Sequence, residues 1–156
     1  MGTINAERSK GFYDVVLQTF KDPSVQIIIA AEPTWLSEIP SHFIVQRPVP
    51  QLDILPHVDL VICHGGQNTV TESLYFGKPL LVAPVKDDQP LVANYVEASG
   101  AGRRIPWKRL TADALREAVD DVLLNDKYAL AAYQLQQEII REGGSARAAE
   151  YIEAMI

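Results

Sequence analysis

The 156-residue sequence predicts one doubly wound α/β domain, a parallel sheet covered by helices on both faces and followed by a helical tail. Two observations predict it. Short apolar, β-branched runs alternate with helix-like segments through most of the chain, and after Trp107 the strands stop while helical periodicity continues. A third bounds the answer: this length suits one domain with a real core.

Residues 25–31 are apolar except for Gln26, which suits a strand buried on both faces, and 43–45, 60–63 and 80–83 read the same way. Helical stretches lie between them. One covers residues 11–20. A second covers 69–76, stopped by Gly77 with Pro79 barring continuation, and a third covers 90–99, closed by Gly100. Thr111 then reads as an N-cap before a helix whose buried stripe is Leu115, Val119, Val122 and Leu123. A further helix starts near Asp126, with Leu135 and Ile139 one turn apart. Gly143-Gly144 breaks it, and Ser145 caps a last helix carrying Ile152 and Ile156. A domain of this class normally opens with a buried strand, whereas Gly2-Thr3 leads almost directly into a helix. The expectation is a start inside a longer protein, with the first strand cut away or too short to recognise.

Composition limits the partners. A formal charge of −6 with scattered basic residues argues against nucleic acid, because phosphate backbones recruit clustered Lys and Arg. The longest apolar run is too short to span a bilayer, and no signal-peptide pattern opens the chain. The single cysteine, Cys63, excludes an internal disulfide and fits a reducing cytoplasm, the expected location.

In open α/β sheets ligands gather where strands end and loops lead into helices. Three such loops carry unusual residues. In 63–69 (Cys63-His64-Gly65-Gly66-Gln67-Asn68-Thr69) a strand ends, two glycines permit a tight turn, and a helix begins, whose free N–H groups make a ready diphosphate site. The same glycines serve an ordinary turn equally well, and Thr69 to Glu72 reads as a capping box. In 85–90, Asp88 and Gln89 suit sugar hydroxyls by accepting and donating hydrogen bonds, or cap a helix with Pro90 in its first turn. In 47–52, Pro48 and Pro50 fix an extended loop from which Gln51 could reach a ligand; alone, it is only a rigid connection.

Taken in order, Val49-Pro50-Gln51, Asp59-Leu60-Val61, the run from His64 to Glu72, Gly77-Lys78-Pro79, Pro84, Asp88-Gln89, Asn94, Gly100 and Gly102 resemble the C-terminal donor-binding domain of family 1 glycosyltransferases of the bacterial antibiotic, macrolide and carotenoid type. The resemblance covers about a hundred residues. It implies the C-terminal, Rossmann-like half of a GT-B fold. It also implies an inverting, metal-independent transfer of a hexose from a UDP- or TDP-sugar to a small molecule, with no cofactor. By position, His64, Asn68 and Thr69 would hold the diphosphate, with Gly66 and Gln67 giving backbone contacts. Pro48, Val49, Gln51 and Glu72 would take the nucleoside and ribose, and Asp88 and Gln89 the sugar. Pro48 stands where many members stack an aromatic residue on the base, and Gln67 where plant members commonly have tryptophan. The acceptor site and general base belong to an N-terminal domain absent from this chain, in cis or as a separate polypeptide, so no catalytic residue is assigned. A different class stays open: a non-catalytic donor-binding subunit of a split two-chain enzyme, or another nucleotide-binding module. Tyr151, Ile152, Met155 and Ile156 on the last helix are a candidate interdomain surface, with self-association as its consequence if it is uncovered; packing of that helix on its own domain is the alternative.

Rival chemistries fit poorly. Gly100-Ala101-Gly102 lacks the third glycine of a dinucleotide fingerprint, and no Gly-x-Ser-x-Gly elbow occurs. Cys63 and His64 are adjacent strand-end residues pointing to opposite faces, which suits a core thiol better than a nucleophile–base pair. His42 and His57 sit in no donor loop. The prediction is that the purified chain transfers no sugar when incubated with UDP- or TDP-sugars and phenolic or macrolide acceptors. Glycosylated product by mass spectrometry would place a base and acceptor site within these residues.

Overall fold

The computed structural model describes residues 6–155, with side chains from Gly11 onward. In chain order the elements are α1 (Ala6–Thr19), β1 (Ile27–Ala30), β2 (Phe43–Gln46), α2 (Gln51–Ile54), β3 (Val61–Cys63), α3 (Gln67–Tyr75), β4 (Leu80–Val82), α4 (Gln89–Ala98), β5 (Gly102–Arg104), α5 (Ala112–Leu124), α6 (Asp126–Arg141) and α7 (Gly144–Glu153). Short 3₁₀ turns cover Pro33–Trp35 and Leu55–His57. The Gly2-Thr3 start lies outside the described residues.

All strand pairs are parallel, joined by crossover connections, which between β3, β4 and β5 contain α-helices. They form two sheets rather than one. β1 pairs with β2, Ile27 opposite Phe43, and β3, β4 and β5 form a separate triplet in that order. The two share a core because successive strand residues face opposite ways. Ile29, Phe43, Leu81 and Ala83 pack with Tyr13, Val16 and Phe20 of α1 and Leu115, Ala118, Val119 and Val122 of α5. The other face of the triplet, with Cys63, Leu80 and Val82, packs on Val70 of α3 and Ala93 and Val96 of α4. Helices therefore cover both faces, the doubly wound arrangement.

The helical tail follows its caps and stripes. Thr111 Oγ1 accepts from the Ala114 N–H at 3.2 Å, satisfying one orphan donor of α5. Leu115, Ala118, Val119 and Val122 are buried, whereas Leu123 is 40% exposed. The buried stripe thus runs through Ala118 and leaves Leu123 outside, because 115, 118, 119 and 122 follow the helical period. Asp121 accepts from Arg103 of β5 and from the Tyr128 hydroxyl of α6, both at 2.8 Å, and so ties sheet edge, α5 and α6 together. Arg104 donates to Asn94 at 3.0 Å, so both arginines of β5 are tied to neighbouring helices. Gln136 of α6 donates to the Tyr75 carbonyl at 2.9 Å, and Leu135 and Ile139 are half-buried. Gly143 (φ 73) stands at the N-cap of α7, so Ser145 lies inside that helix and caps nothing. None of α7's described residues is buried, and Ile152 and Met155 are 61% and 85% exposed. Ile156 lies outside the described residues.

Two elements have no apolar signature. α2 is a single turn, and β5 is Gly-Arg-Arg. β5 can pair closely with β4 because Gly102 lacks a side chain: a Cβ there would lie 2.1 Å from the Leu80 carbonyl oxygen and 2.8 Å from Val96. The first contact is backbone in a fully buried strand and has nowhere to move. Gly102→Ala is expected to destabilise the chain by at least about 2 kcal/mol, measured as a lowered urea midpoint; an unchanged midpoint would mean that β5 shifts freely.

Candidate functional site

Loops leaving the carboxyl ends of β2, β3 and β4 carry the sequence-predicted residues; the structure brings the loops after β3 and β4 into contact and ties the β2 loop to α3. Gly65, at φ 89, adopts a conformation suited to glycine. A Cβ on it would meet Val82 at 3.0 Å and the Gln89 carbonyl at 3.2 Å, so the loop after β3 lies directly against the loop after β4. Gln51, at the end of the β2 loop, donates from Nε2 to Glu72 Oε2 on α3 at 2.5 Å.

His64 follows β3 directly and is half-buried. Its ring lies over Gly66, since a Cβ at residue 66 would stand 2.9 Å from Nε2. Its Nδ1 is buried without a hydrogen-bond partner, a placement that leaves the ring with an unspent polar atom. Burial pushes the His64 pKa below the ordinary histidine value, while the nearby Asp88 carboxylate pulls the other way.

The capping box is absent. α3 begins at Gln67 with Gly66 as N-cap, and no side chain caps it. Thr69 is therefore inside the first turn, too late in the helix to serve as its cap. Its carbonyl accepts from the buried Ser73 hydroxyl at 2.6 Å, and Glu72 turns to Gln51 instead. The N–H groups of Gln67, Asn68 and Thr69 have no intrahelical acceptor, and they face outward beside His64 with the positive end of the helix dipole. Gln67 and Asn68 are exposed and Thr69 is half-buried.

In the β2 loop Pro48 is exposed and Val49 half-buried. The extended path ends at Pro50, the N-cap of α2, so Gln51 opens a one-turn helix instead of continuing an extended loop. In the β4 loop Asp88 holds the N-cap position of α4, with Pro90 in the first turn, yet its carboxylate caps nothing and is exposed. Only its backbone carbonyl is engaged, by Leu91 N–H at 2.9 Å and Val92 N–H at 3.1 Å. Gln89 Oε1 accepts from the Val85 and Lys86 N–H groups at 2.9 and 3.1 Å. Gln89 thus props its own loop with its oxygen and keeps its NH₂ free to donate.

The remaining chemistry-bearing residues are structural. Cys63 is buried, and desolvation raises its pKa to about 11, which keeps the thiol protonated and unreactive. His42 donates from Nε2 to the Phe20 carbonyl at 2.8 Å. His57 ends the Leu55–His57 turn. An open depression of about 670 Å³ along α5, lined by Asp113, Arg116, Glu117, Asp120, Asp121, Leu124 and Asn125, touches none of the three loops. The sequence reading did not contain the Gln51–Glu72 pair, whereas the uncapped start of α3 is one of the two readings that residues 63–72 left open. Glycine at the cap position, where Ser, Thr, Asp or Asn usually stands, was the available signal for that start.

A family model described as the C-terminal domain of erythromycin biosynthesis protein CIII-like proteins matches residues 14–155. The chain belongs to this family. It is 38% identical over 156 residues to YojK, an uncharacterized UDP-glucosyltransferase of Bacillus subtilis (strain 168), a match covering 97% of this chain and 38% of the relative. The crystal structure of the glycosyltransferase of kitacinnamycin superposes with a TM-score of 0.86 at 32% identity, covering 94% of this chain and 39% of the other. Spinosyn rhamnosyltransferase SpnG complexed with thymidine diphosphate superposes with a TM-score of 0.82 at 28% identity, covering 90% and 40%. The chain spans about two fifths of the length of these relatives. As a CIII-like C-terminal domain it is a glycosyltransferase domain with the C-terminal fold of the GT-B class, in line with the parallel sheets, flanking helices and helical tail. Among the described residues no helix is long and apolar enough to cross a membrane.

The half-buried His64 ring makes a pH prediction. Its folded-state pKa is depressed, so below the ordinary value of about 6.5 the unfolded chain binds the proton first. Its contribution to stability is intact above that pH and is lost as pH falls towards the folded-state pKa. Urea midpoints measured from pH 7.5 to 5.5 are expected to fall more steeply for the wild type than for His64→Gln; parallel curves would show that His64 burial does not matter.

Proposed function

We propose that this chain is the donor half of an inverting, metal-independent glycosyltransferase that moves a hexose from a UDP- or TDP-sugar to a small-molecule acceptor. The observation that carries the reading is the uncapped start of α3 beside His64, next to the loop after β4 and on the helix whose Glu72 accepts from Gln51. A diphosphate there meets three free N–H groups, the helix dipole and a histidine with an unpartnered nitrogen. Gly66 and Gln67 supply backbone contacts, and His64, Asn68 and Thr69 supply side chains. Pro48 and Val49 face the base, and the Gln51–Glu72 pair presents an amide and a carboxylate to the ribose hydroxyls. Asp88, with its free carboxylate, and the NH₂ of Gln89 orient the sugar. The likeness to a UDP-glucosyltransferase and to a thymidine diphosphate complex supports the choice of nucleotides.

In this mechanism the chain's work is leaving-group stabilisation. Charge builds on the diphosphate as the sugar–phosphate bond breaks, and fixed N–H donors aimed at it lower the barrier without reorganisation. His64 is neutral in the empty site and gains a proton as the dianion approaches, which couples binding to proton uptake. An N-terminal domain, in cis or on a separate chain, supplies the acceptor pocket and the base that deprotonates the acceptor hydroxyl, which attacks with inversion. The exposed face of α7 is available to that domain and, where it is uncovered, to self-association.

Titration calorimetry against UDP, TDP, GDP and NAD tests the reading. UDP or TDP is expected to bind, with proton uptake visible as a buffer-dependent heat between pH 6.5 and 7.5. His64→Ala should weaken that binding by about 1–3 kcal/mol. Asp88→Ala should spare the free nucleotide and weaken its sugar conjugate. Unchanged UDP and TDP affinity in His64→Ala would remove His64 from the site, and equal effects of Asp88→Ala on nucleotide and conjugate would remove Asp88 from the sugar.

A further inference from the structure

Three planar groups, from Tyr13, Trp35 and Arg47, come together beyond the carboxyl ends of β1 and β2. The two strands run parallel with Ala30 opposite Gln46. The Pro33–Trp35 turn and Arg47 therefore leave the sheet side by side, at the end where ligands gather in open α/β folds. The Trp35 N–H donates to the Glu32 carbonyl at 2.9 Å, and the next residue, Leu36, is buried, so the turn is fixed from both ends. The indole stacks with the Tyr13 ring of α1, centroids 6.4 Å apart and planes 29° apart. The guanidinium carbon of Arg47 stands over the indole, 5.5 Å from its centre. Exposure rises through the three: Tyr13 is buried in the core, Trp35 is half-buried and Arg47 is exposed.

Arg47 is placed by this ring and not by a carboxylate. Among the described residues the ion pairs are Lys86–Asp87 and Arg103–Asp121, neither of which involves it. A guanidinium is flat and weakly hydrated, so it settles on an aromatic face and still offers its other side to a second planar group. Nucleobases are such groups and stack on arginine planes as they do on aromatic rings. Seating on the indole also restricts the side chain in advance, so less freedom is lost when a ligand arrives. Arg47 directly precedes Pro48 and Val49, and neither of these carries a π face.

We propose that Arg47, seated on Trp35, is the stacking platform for the nucleobase of the donor. This rests on the donor-site reading and adds to it the residue that holds the base flat. The platform reads planarity rather than a hydrogen-bond pattern, so it takes uracil and thymine alike and disfavours a base whose ring is puckered. Trp35 is a positioning residue: it acts through Arg47.

Titration calorimetry with inorganic pyrophosphate, UDP and dihydrouridine diphosphate, whose saturated ring is not flat, separates the platform from the diphosphate site. The wild type is expected to bind UDP about three- to tenfold more tightly than the dihydro compound. Arg47→Lys keeps the charge and removes the plane; because the residue is exposed, the fold survives the exchange. It should bind pyrophosphate as the wild type does and lose the preference for UDP. Trp35→Leu should lose the same preference, and Trp35→Phe, which restores an aromatic seat, should keep it. Pyrophosphate binding without any preference between the two nucleotides, or a preference that survives in Arg47→Lys, would overturn the platform and leave the diphosphate site standing. A wild type that binds neither pyrophosphate nor UDP would overturn the donor-site reading, and the platform with it.

Discussion

Leu80, Leu81, Val82 and Ala83 are completely withdrawn from solvent, and along this stretch they alternate between the two cores. Leu81 and Ala83 join the layer under α1 and α5; Leu80 and Val82 join the layer under α3 and α4. Burying these four residues on both faces is the main fixed point of the fold, since each withdrawn Leu or Val side chain contributes on the order of 1.5–3 kcal/mol. The site inherits its position from it. Val82 backs Gly65, and the residues after Ala83 form the loop that Gln89 props. A strand anchored on both faces cannot shift to suit a ligand, so the loops beyond it are held in advance.

Most of the fold was legible because burial writes itself in apolar runs. β1, β3 and β4 are such runs, and α5 shows its cap and stripe at the expected spacing. β5 was not legible. Gly-Arg-Arg is a strand for a tertiary reason, the close approach of Gly102 to Leu80, and its arginines are paired with Asp121 and Asn94. The same limit affects the site. Its glycines, histidine and acidic loop were visible as residues. Whether Glu72 would cap its helix depended on where α3 starts, and sequence alone does not set a helix boundary to within a residue or two.

Within the loops the division of labour is between groups already spent and groups left free. The side-chain oxygen of Gln89, the backbone carbonyl of Asp88 and the Glu72 carboxylate all hold protein groups. The Asp88 carboxylate, the Gln89 NH₂, the His64 Nδ1 and the first amides of α3 do not. Preorganisation of this kind keeps donors and acceptors at fixed angles before any ligand arrives.

Gln89 carries a consequence for how such a chain can diverge. Its oxygen satisfies two neighbouring N–H groups of its own loop, so the residue is a joint as well as a contact. Exchanging it for a side chain without a carbonyl at that reach would strand both donors and let residues 85–88 move. A lineage that alters this position to accept another ligand must therefore alter the loop in the same stretch of its history, and the two changes should travel together.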